Sequence, residues 1–120
     1  MTVFTAMIPV LPALDMEETL TFYEHHLGFT RDHSEEEFGM MSRDGLQVHF
    51  RLCRDRKICE ASGCRILVQG IDELYSSLDQ SIIHPNAELE TKPWGAREFG
   101  ILDLNGNLIT FAEYGHEEHS

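Results

Sequence analysis

Apolar positions in the first half of the chain change from a strand-like run to a helical stripe. Residues 3–12 are apolar and fit a strand, and the prolines within them suggest a sheet edge. A helix should follow, because Asp15 can cap it, Glu18 completes a capping box and Gly28 suits its end. Its apolar face consists of Met16, Leu20, Tyr23 and Leu27, which recur at helical spacing.

Three more strands and a loop are predicted before residue 63. FTRDHS, at 29–34, fits a short strand, and 38–52 fits a hairpin that turns at Asp44-Gly45. The polar and basic segment 52–62 fits a loop. The first half of the chain therefore has the order strand, helix, strand, strand, strand.

The same order of elements is predicted again in the second half. CRILVQG, at 64–70, fits a strand, and 81–87 fits a connection. Strands are predicted over 88–95 and 97–114, the latter interrupted by the hairpin signal Asn105-Gly106. The apolar face of the second helix consists of Ile71, Leu74, Tyr75 and Leu78.

The two halves can be aligned residue by residue. Matching Gly45 with Gly106 matches His49 with Thr110. The pattern predicts an α+β fold of two βαβββ modules in one domain, with curled mixed sheets around a cleft. Because one helix cannot cover both faces of a sheet, the modules should pack together or pair across a dimer. The predicted boundaries are 3–53 for module one, 54–62 for a linker, 63–113 for module two and 114–120 for a polar tail.

The net charge of the chain limits the classes of partner that it can bind. Nine Lys and Arg face 21 Asp and Glu, which gives a net charge of −12. Such a field repels phosphate backbones and anionic lipid, so we expect no nucleic-acid or membrane partner. It attracts cations, although acidity also serves solubility. The N-terminus lacks a basic region and the three cysteines are an odd number, so we expect a cytoplasmic protein without a disulfide framework.

The repeated module carries a motif that resembles a known family. A D-x6-F-Y helix from Asp15 to Tyr23, followed by LGF at 27–29, is similar to the vicinal oxygen chelate superfamily of glyoxalases, dioxygenases and bleomycin-resistance proteins. The resemblance covers residues 4–114 and is greatest to the bleomycin-resistance binding proteins. Its segments, in order, are IPVLPALD, FYEHHLGFTRD, EEEFG, QGIDELY and KPWGAREFGILDLNGNLITF. It implies a homodimer with a groove at the interface, in which the N-terminal strand can be exchanged.

The resemblance also indicates where metal ligands would stand in the enzymes of the superfamily. The four positions correspond to Ile8, His49, Gly63 and Thr110. Only His49 coordinates a divalent ion well, whereas a catalytic metal needs about three protein ligands. We therefore expect no metal and no cofactor, and we lean against an enzyme. A zinc site of His49 with Cys53, Cys59 and Cys64 has no knuckle spacing, so we interpret these thiols as buried or loop residues.

Aromatic and acidic residues are the candidates for ligand contact. Phe38 and Trp94 resemble the aromatics between which similar proteins hold a flat drug, although both could be packing residues instead. Asp32 and the acidic run 35–37 could meet the cationic tail of such a ligand, or could form a solvated turn.

The residues at two positions disfavour a bleomycin-type drug as the ligand. His33 stands where a further stacking aromatic is expected, and Arg51 stands where a small residue is expected. The Arg51 guanidinium would oppose a cation and favour a carboxylate, unless it pairs with a nearby acid. The predicted ligand-binding residues are Asp32, His33, Phe38, His49, Arg51 and Trp94.

Three functions remain open from the sequence. The first is a non-catalytic binder that sequesters a bleomycin-type antibiotic and so confers resistance. The second is a metal-dependent enzyme of the glyoxalase or dioxygenase kind, with ligands from other positions. The third is a binder of an unrelated small metabolite, which Arg51 and His33 favour.

Overall fold

The computed structural model describes residues 1–115, so residues 116–120 of the predicted polar tail lie outside the described chain. The elements occur in the predicted order, twice. The strands are β1 Val10–Ala13, β2 Thr30–Ser34, β3 Phe38–Arg43, β4 Leu46–Leu52, β5 Gly63–Leu67, β6 Glu90–Thr91, β7 Arg97–Leu102 and β8 Leu108–Glu113. The helices are α1 Met16–Leu27, α2 Arg56–Glu60 and α3 Ile71–Ser77, with a 3-10 turn at Gln80–Ile82.

The strands form two four-stranded mixed sheets of the same design. Their orders are β1-β4-β3-β2 and β5-β8-β7-β6, with the first neighbours parallel and the others antiparallel. His49 of β4 lies opposite β1, and Thr110 of β8 lies opposite β5, at equivalent points. The α+β class and the repeat are therefore confirmed. The sheets are uncurled, unlike the predicted curled sheets. Each is open, since its first and last strands are not hydrogen-bonded to each other.

Local sequence accounts for both ends of α1. The Asp15 carboxylate accepts a hydrogen bond from the Glu18 amide at 2.9 Å, as the capping box predicts. Gly28 ends the helix in the left-handed region, with φ of 68°, where a side chain is unfavourable. The first hairpin turns at Asp44-Gly45, both with positive φ, which is the predicted tight turn.

Three elements differ most from the prediction. The first strand begins at Val10 rather than near residue 3. The Pro9 carbonyl still accepts from the His49 amide of β4 at 3.0 Å, but no residue before Pro9 pairs with a strand within residues 1–115. The predicted loop contains α2, a single helical turn that Asp55 caps by accepting from the Lys57 amide at 3.0 Å. The strand predicted over 88–95 is only β6, because the chain turns at Gly95.

The second hairpin has a five-residue turn, 103–107, that joins the modules. The Asp103 carboxylate, which is 5% exposed, accepts from the Tyr23 hydroxyl of α1 at 2.7 Å. It also accepts from the amides of Asn105 and Asn107, each at 2.9 Å, and from the Asn107 side chain. A buried carboxylate needs several such donors. The turn is therefore fixed to the first module by Asp103.

The two asparagines of the turn extend this contact to β1 and α1. Asn105 accepts from the Leu14 amide at 3.0 Å and donates to the Thr19 hydroxyl at 3.0 Å. Asn107 donates to the Pro12 carbonyl at 3.0 Å. Apolar side chains from both modules then form one core: Leu11, Leu20, Leu27, Met41, Val48, Phe50, Ile71, Leu78, Phe99, Ile101, Ile109 and Phe111.

The Tyr23→Phe variant tests the joint between the modules. Loss of a hydrogen bond to a charged, buried acceptor should lower the free energy of unfolding by about 2 kcal/mol. Urea unfolding should show a lower midpoint with an unchanged m-value. Tyr75→Phe is the matched control, because this half-buried tyrosine packs its ring on Phe99 and its hydroxyl has no partner within residues 1–115. Equal losses in the two variants would contradict the role of the Tyr23 hydroxyl.

Candidate functional site

Strand alternation divides β3 and β4 into a helix-covered face and an open face. Gly39 lies on the covered face, where an added Cβ would come within 3.0 Å of Met16 of α1. The opposite side, which we call the first open face, carries Phe38 and Met40 from β3 and His49 and Arg51 from β4. Phe38, His49 and Arg51, which are predicted ligand-binding residues, therefore lie together on one surface.

The register brings these side chains side by side. Phe38 pairs with Arg51, and Met40 pairs with His49. The Phe38 and His49 rings meet edge to face, with centroids 5.4 Å apart and planes at 80°. His49 is further held by Gln47, whose Oε1 lies 3.1 Å from its Nε2. The two rings form a half-buried aromatic patch that a flat molecule can contact.

Arg51 extends from the first open face toward solvent. It is exposed, and no carboxylate or other partner binds its guanidinium within residues 1–115. The pairing with a nearby acid, which the sequence left open, is absent from this part of the chain. A free guanidinium offers a forked donor for a carboxylate or phosphate.

A β-bulge in β2 sets the positions of Asp32 and His33. The register shifts between Arg31 and His33, so that His33 pairs with Met40 and lies on the first open face. Its Nε2 lies 2.7 Å from the Glu35 carboxylate. Asp32, at the bulge, is exposed, and the acidic run 35–37 forms an exposed turn before β3.

Trp94 lies on the second sheet, away from the other predicted residues. It is 62% exposed, and no contact within residues 1–115 joins it to Phe38 or Arg51 in the same chain. Its indole Nε1 donates to the carboxylate of Glu98 in β7 at 2.9 Å. The same carboxylate oxygen accepts from Arg65 of β5 at 2.5 Å.

Arg65, Trp94, Glu98 and Tyr114 form a group that we call the Glu98 cluster. Arg65 also donates to the Tyr114 hydroxyl at 2.9 Å. The pKa of Glu98 lies below its usual range, chiefly because of the hydrogen bond from Arg65, with burial opposing and Trp94 assisting. Sequence reasoning missed this cluster except for Trp94. Its sequence signal is Glu98, a charged residue next to the apolar run 99–102, which requires a partner if it is buried.

One chain offers little enclosed volume beside the Glu98 cluster. A pocket of about 120 Å³ lies there, lined by Lys92, Gly100 and Thr110 among others. Pockets for drug-sized ligands are roughly 300–1,000 Å³. A ligand of that size would need a further surface facing the cluster.

The four metal positions of the superfamily enzymes do not fit a metal here. Ile8 has no donor, and a side chain at Gly63 would come within 2.2 Å of the Leu108 carbonyl. Thr110 is a neutral hydroxyl, which leaves His49 alone. Within residues 1–115, no group of three or more His, Cys, Asp or Glu side chains is placed to hold a metal ion.

No helix among the described residues is long and apolar enough to cross a membrane. The three cysteines are free thiols, and they lie at different depths. Burial raises the pKa of Cys59, and burial followed by the Asp103 charge raises the pKa of Cys64.

Comparison with known sequences gives a consistent family. A family model described as "Glyoxalase superfamily protein" matches residues 1–118. Proteins named "Bleomycin resistance protein" from Geobacillus stearothermophilus and Staphylococcus aureus are 33% identical over 122 residues. The match covers 87% of this chain and 92% of each relative.

Solved structures share the fold at lower identity. A bleomycin-binding protein from Streptomyces verticillus, complexed with copper(II)-bleomycin, has a TM-score of 0.82 at 24% identity, over 97% of this chain and all of that one. A bleomycin resistance determinant encoded on transposon Tn5 has a TM-score of 0.77 at 22% identity, over 92% and 98%. A glyoxalase-related enzyme from Clostridium phytofermentans has a TM-score of 0.73 at 23% identity, over 95% and 98%. A bleomycin-binding protein and a glyoxalase-related enzyme thus share this fold.

Thiol labelling tests the chemical environment of the cysteines. Because a thiol reacts as its thiolate, the raised pKa values of Cys59 and Cys64 should slow their alkylation at pH 7.5. We expect iodoacetamide to modify Cys53 first in the native protein, as measured by mass spectrometry of peptides. Cys53→Ser should remove the fast phase, whereas Cys59→Ser should leave it. Fast modification of Cys64 in the wild type would contradict this order.

Proposed function

The chain belongs to the glyoxalase superfamily, and we propose that it binds a bleomycin-type antibiotic without transforming it and thereby confers resistance. The observation that carries this proposal is the 33% identity to bleomycin resistance proteins over 87% of the chain. The unsuitable metal positions also favour a binder over a metal-dependent enzyme.

Two aromatic surfaces support the binding of a flat drug. Phe38 with His49 lies on the first open face, and Trp94 lies on the second sheet. Stacking against rigid rings gains apolar burial and a favourable geometry. The net charge of −12 would draw a cationic drug toward the protein. Asp32 and the run 35–37 are exposed and available to its charged tail.

The site is completed, in this proposal, by a second copy of the chain. The radius of gyration, 15.2 Å, exceeds the about 14 Å expected for a compact domain of this length, so the single chain is less compact than a closed domain. The N-terminal arm, residues 1–9, leaves Val3, Phe4 and Met7 at least 70% exposed. Exchange of this arm would bury these side chains and bring Trp94 of one protomer opposite the first open face of its partner. A cytoplasmic location is also part of the proposal.

A small anionic metabolite is the second candidate ligand. The free guanidinium of Arg51 beside the Phe38 ring favours it, because this pair suits an aromatic ring that bears a carboxylate. Native mass spectrometry of the purified protein would reveal such a ligand. Stoichiometric metal in elemental analysis would instead favour the enzyme alternative.

Calorimetric titration with bleomycin tests the binder. We expect one drug per chain and protection of DNA from cleavage. Phe38→Leu and Trp94→Leu should each weaken binding roughly 5- to 100-fold, the range expected for loss of one stacking ring. Arg51→Gln should strengthen binding of this cation, because it removes a like charge.

The matched control for these variants is Phe22→Leu, since Phe22 lies on α1, behind the first sheet. It should bind like the wild type. Absence of heat and of DNA protection at micromolar protein would reject the drug as the ligand.

Sedimentation analysis tests the dimer. The wild type should have twice the 13.8 kDa chain mass at micromolar concentration. The double variant Phe4→Ser/Met7→Ser should shift the equilibrium toward monomer, because it removes apolar area from the arm. The control Ile58→Ser alters an apolar side chain on α2 that is 50% exposed and lies outside the arm, and it should remain dimeric. A monomeric wild type would refute the dimer.

A further inference from the structure

We infer that Glu98 is a positioning residue, which holds the Trp94 indole as a fixed stacking surface while Arg65 holds the Glu98 carboxylate. This inference rests on the proposed function in one respect: it assigns Trp94 to ligand contact. The positioning itself is a property of the protein without ligand. It can therefore be tested whether or not bleomycin binds.

Trp94 needs an external restraint to act as a rigid surface. It lies in the turn between β6 and β7 and is 62% exposed, so packing restricts its ring little. The indole has one polar hydrogen, on Nε1, and it is donated to Glu98 at 2.9 Å. Because the acceptor is charged, this bond is stronger than one between neutral groups. It restrains the ring at Nε1, in addition to the bond that joins the ring to Cβ.

Glu98 is itself held more firmly than Trp94. It lies in β7, an inner strand of the sheet, and its residue is 7% exposed. Arg65 reaches it from β5, across β8, and donates at 2.5 Å. A buried carboxylate is costly unless it is paired, so removal of Arg65 should disturb it. The strand framework thus determines the carboxylate position, and the carboxylate determines the ring position.

The negative charge of Glu98 is already balanced by positive charges close to it. Arg65 pairs with it from β5, and Lys92 of the neighbouring turn adds a further positive charge. Tyr114, after β8, is the other titratable group of the cluster, and it contacts Arg65 rather than Glu98. Glu98 is therefore poorly suited to attract a cationic ligand. Its contribution to binding is the orientation of Trp94.

The single tryptophan makes the ring directly observable. Trp94 is the only tryptophan in the chain, so its indole N–H gives one resonance and its fluorescence has no background. In the wild type, we expect the indole proton shift to stay constant as the pH falls through the usual range of a glutamate. It should move only below that range, because Arg65 and Trp94 lower the pKa of Glu98. Arg65→Gln should move this transition to higher pH.

Time-resolved anisotropy measures the order of the ring. The wild type should show mainly the slow decay of overall tumbling. Glu98→Gln removes the charge but keeps the shape, and it should add a subnanosecond component from ring motion. Glu90→Gln is the matched control, because Glu90 is exposed and bonds Lys92, two residues before Trp94, without touching the indole. It should leave the decay unchanged.

Ligand titration then connects ring order to binding. Immobilisation of one side chain on binding costs about 0.5–1.5 kcal/mol, so Glu98→Gln should weaken bleomycin binding roughly 2- to 10-fold. Glu90→Gln should match the wild type. Circular dichroism and thermal unfolding of each variant establish that it is folded. Should Glu98→Gln unfold, Arg65→Gln gives the same comparison.

The possible outcomes distinguish a failure of the proposed function from a failure of the positioning role of Glu98. If the wild type does not bind bleomycin, the proposed function fails, and the anisotropy of the free protein still decides the positioning role. An unchanged ring order in Glu98→Gln would overturn the inference. A mobile ring with unaltered affinity would overturn the role of positioning in binding.

Discussion

The hydrogen bonds to the buried Asp103 carboxylate determine how the two modules sit together. The donors come from α1 and from the turn that carries Asp103, so the charge is satisfied only when both modules are in place. Loss of one partner from such a group costs more than the bond contributes, because the charge stays buried. The first open face and the Glu98 cluster are carried by these two modules. The site described above therefore depends on an interaction remote from it.

The two modules differ at the contact between them. The second hairpin has a five-residue turn, and it fills the space beside the start of α1. The first hairpin turns in two residues, at Asp44-Gly45, and a cleft of about 570 Å³ remains between it and the start of α3. The aligned sequences show the matching glycines, Gly45 and Gly106, but not this difference. The two modules share a fold, but the hairpin turn of the second module packs against the first module, whereas the turn of the first leaves a cleft.

Sequence predicted the features that local chemistry decides. Asp15 and Gly28 delimit α1 through their own caps, and the strand period places Phe38, His49 and Arg51 on one face. The features it missed depend on distant partners. The length of β1 depends on which strand is available to pair, and the Glu98 cluster joins residues 33 positions apart. No spacing rule relates Arg65 to Glu98, so only the folded sheet brings them together.

The charges that attract a ligand from a distance differ from the charges that it would meet at the aromatic surfaces of this protein. Part of the negative charge lies away from the first open face, where Glu17 and Glu24 of α1 pair with Arg31. The first open face carries the free Arg51, and the second sheet carries a carboxylate that Arg65 already neutralises. A net charge of −12 thus attracts a cation from a distance, and the exposed Asp32 and run 35–37 can meet it, while Arg51 and the Arg65–Glu98 pair offer it no free negative charge. For the proposed cationic ligand, stacking on Phe38 and Trp94 would then contribute more to the affinity at contact than ion pairing, because fields steer association more than they hold the complex.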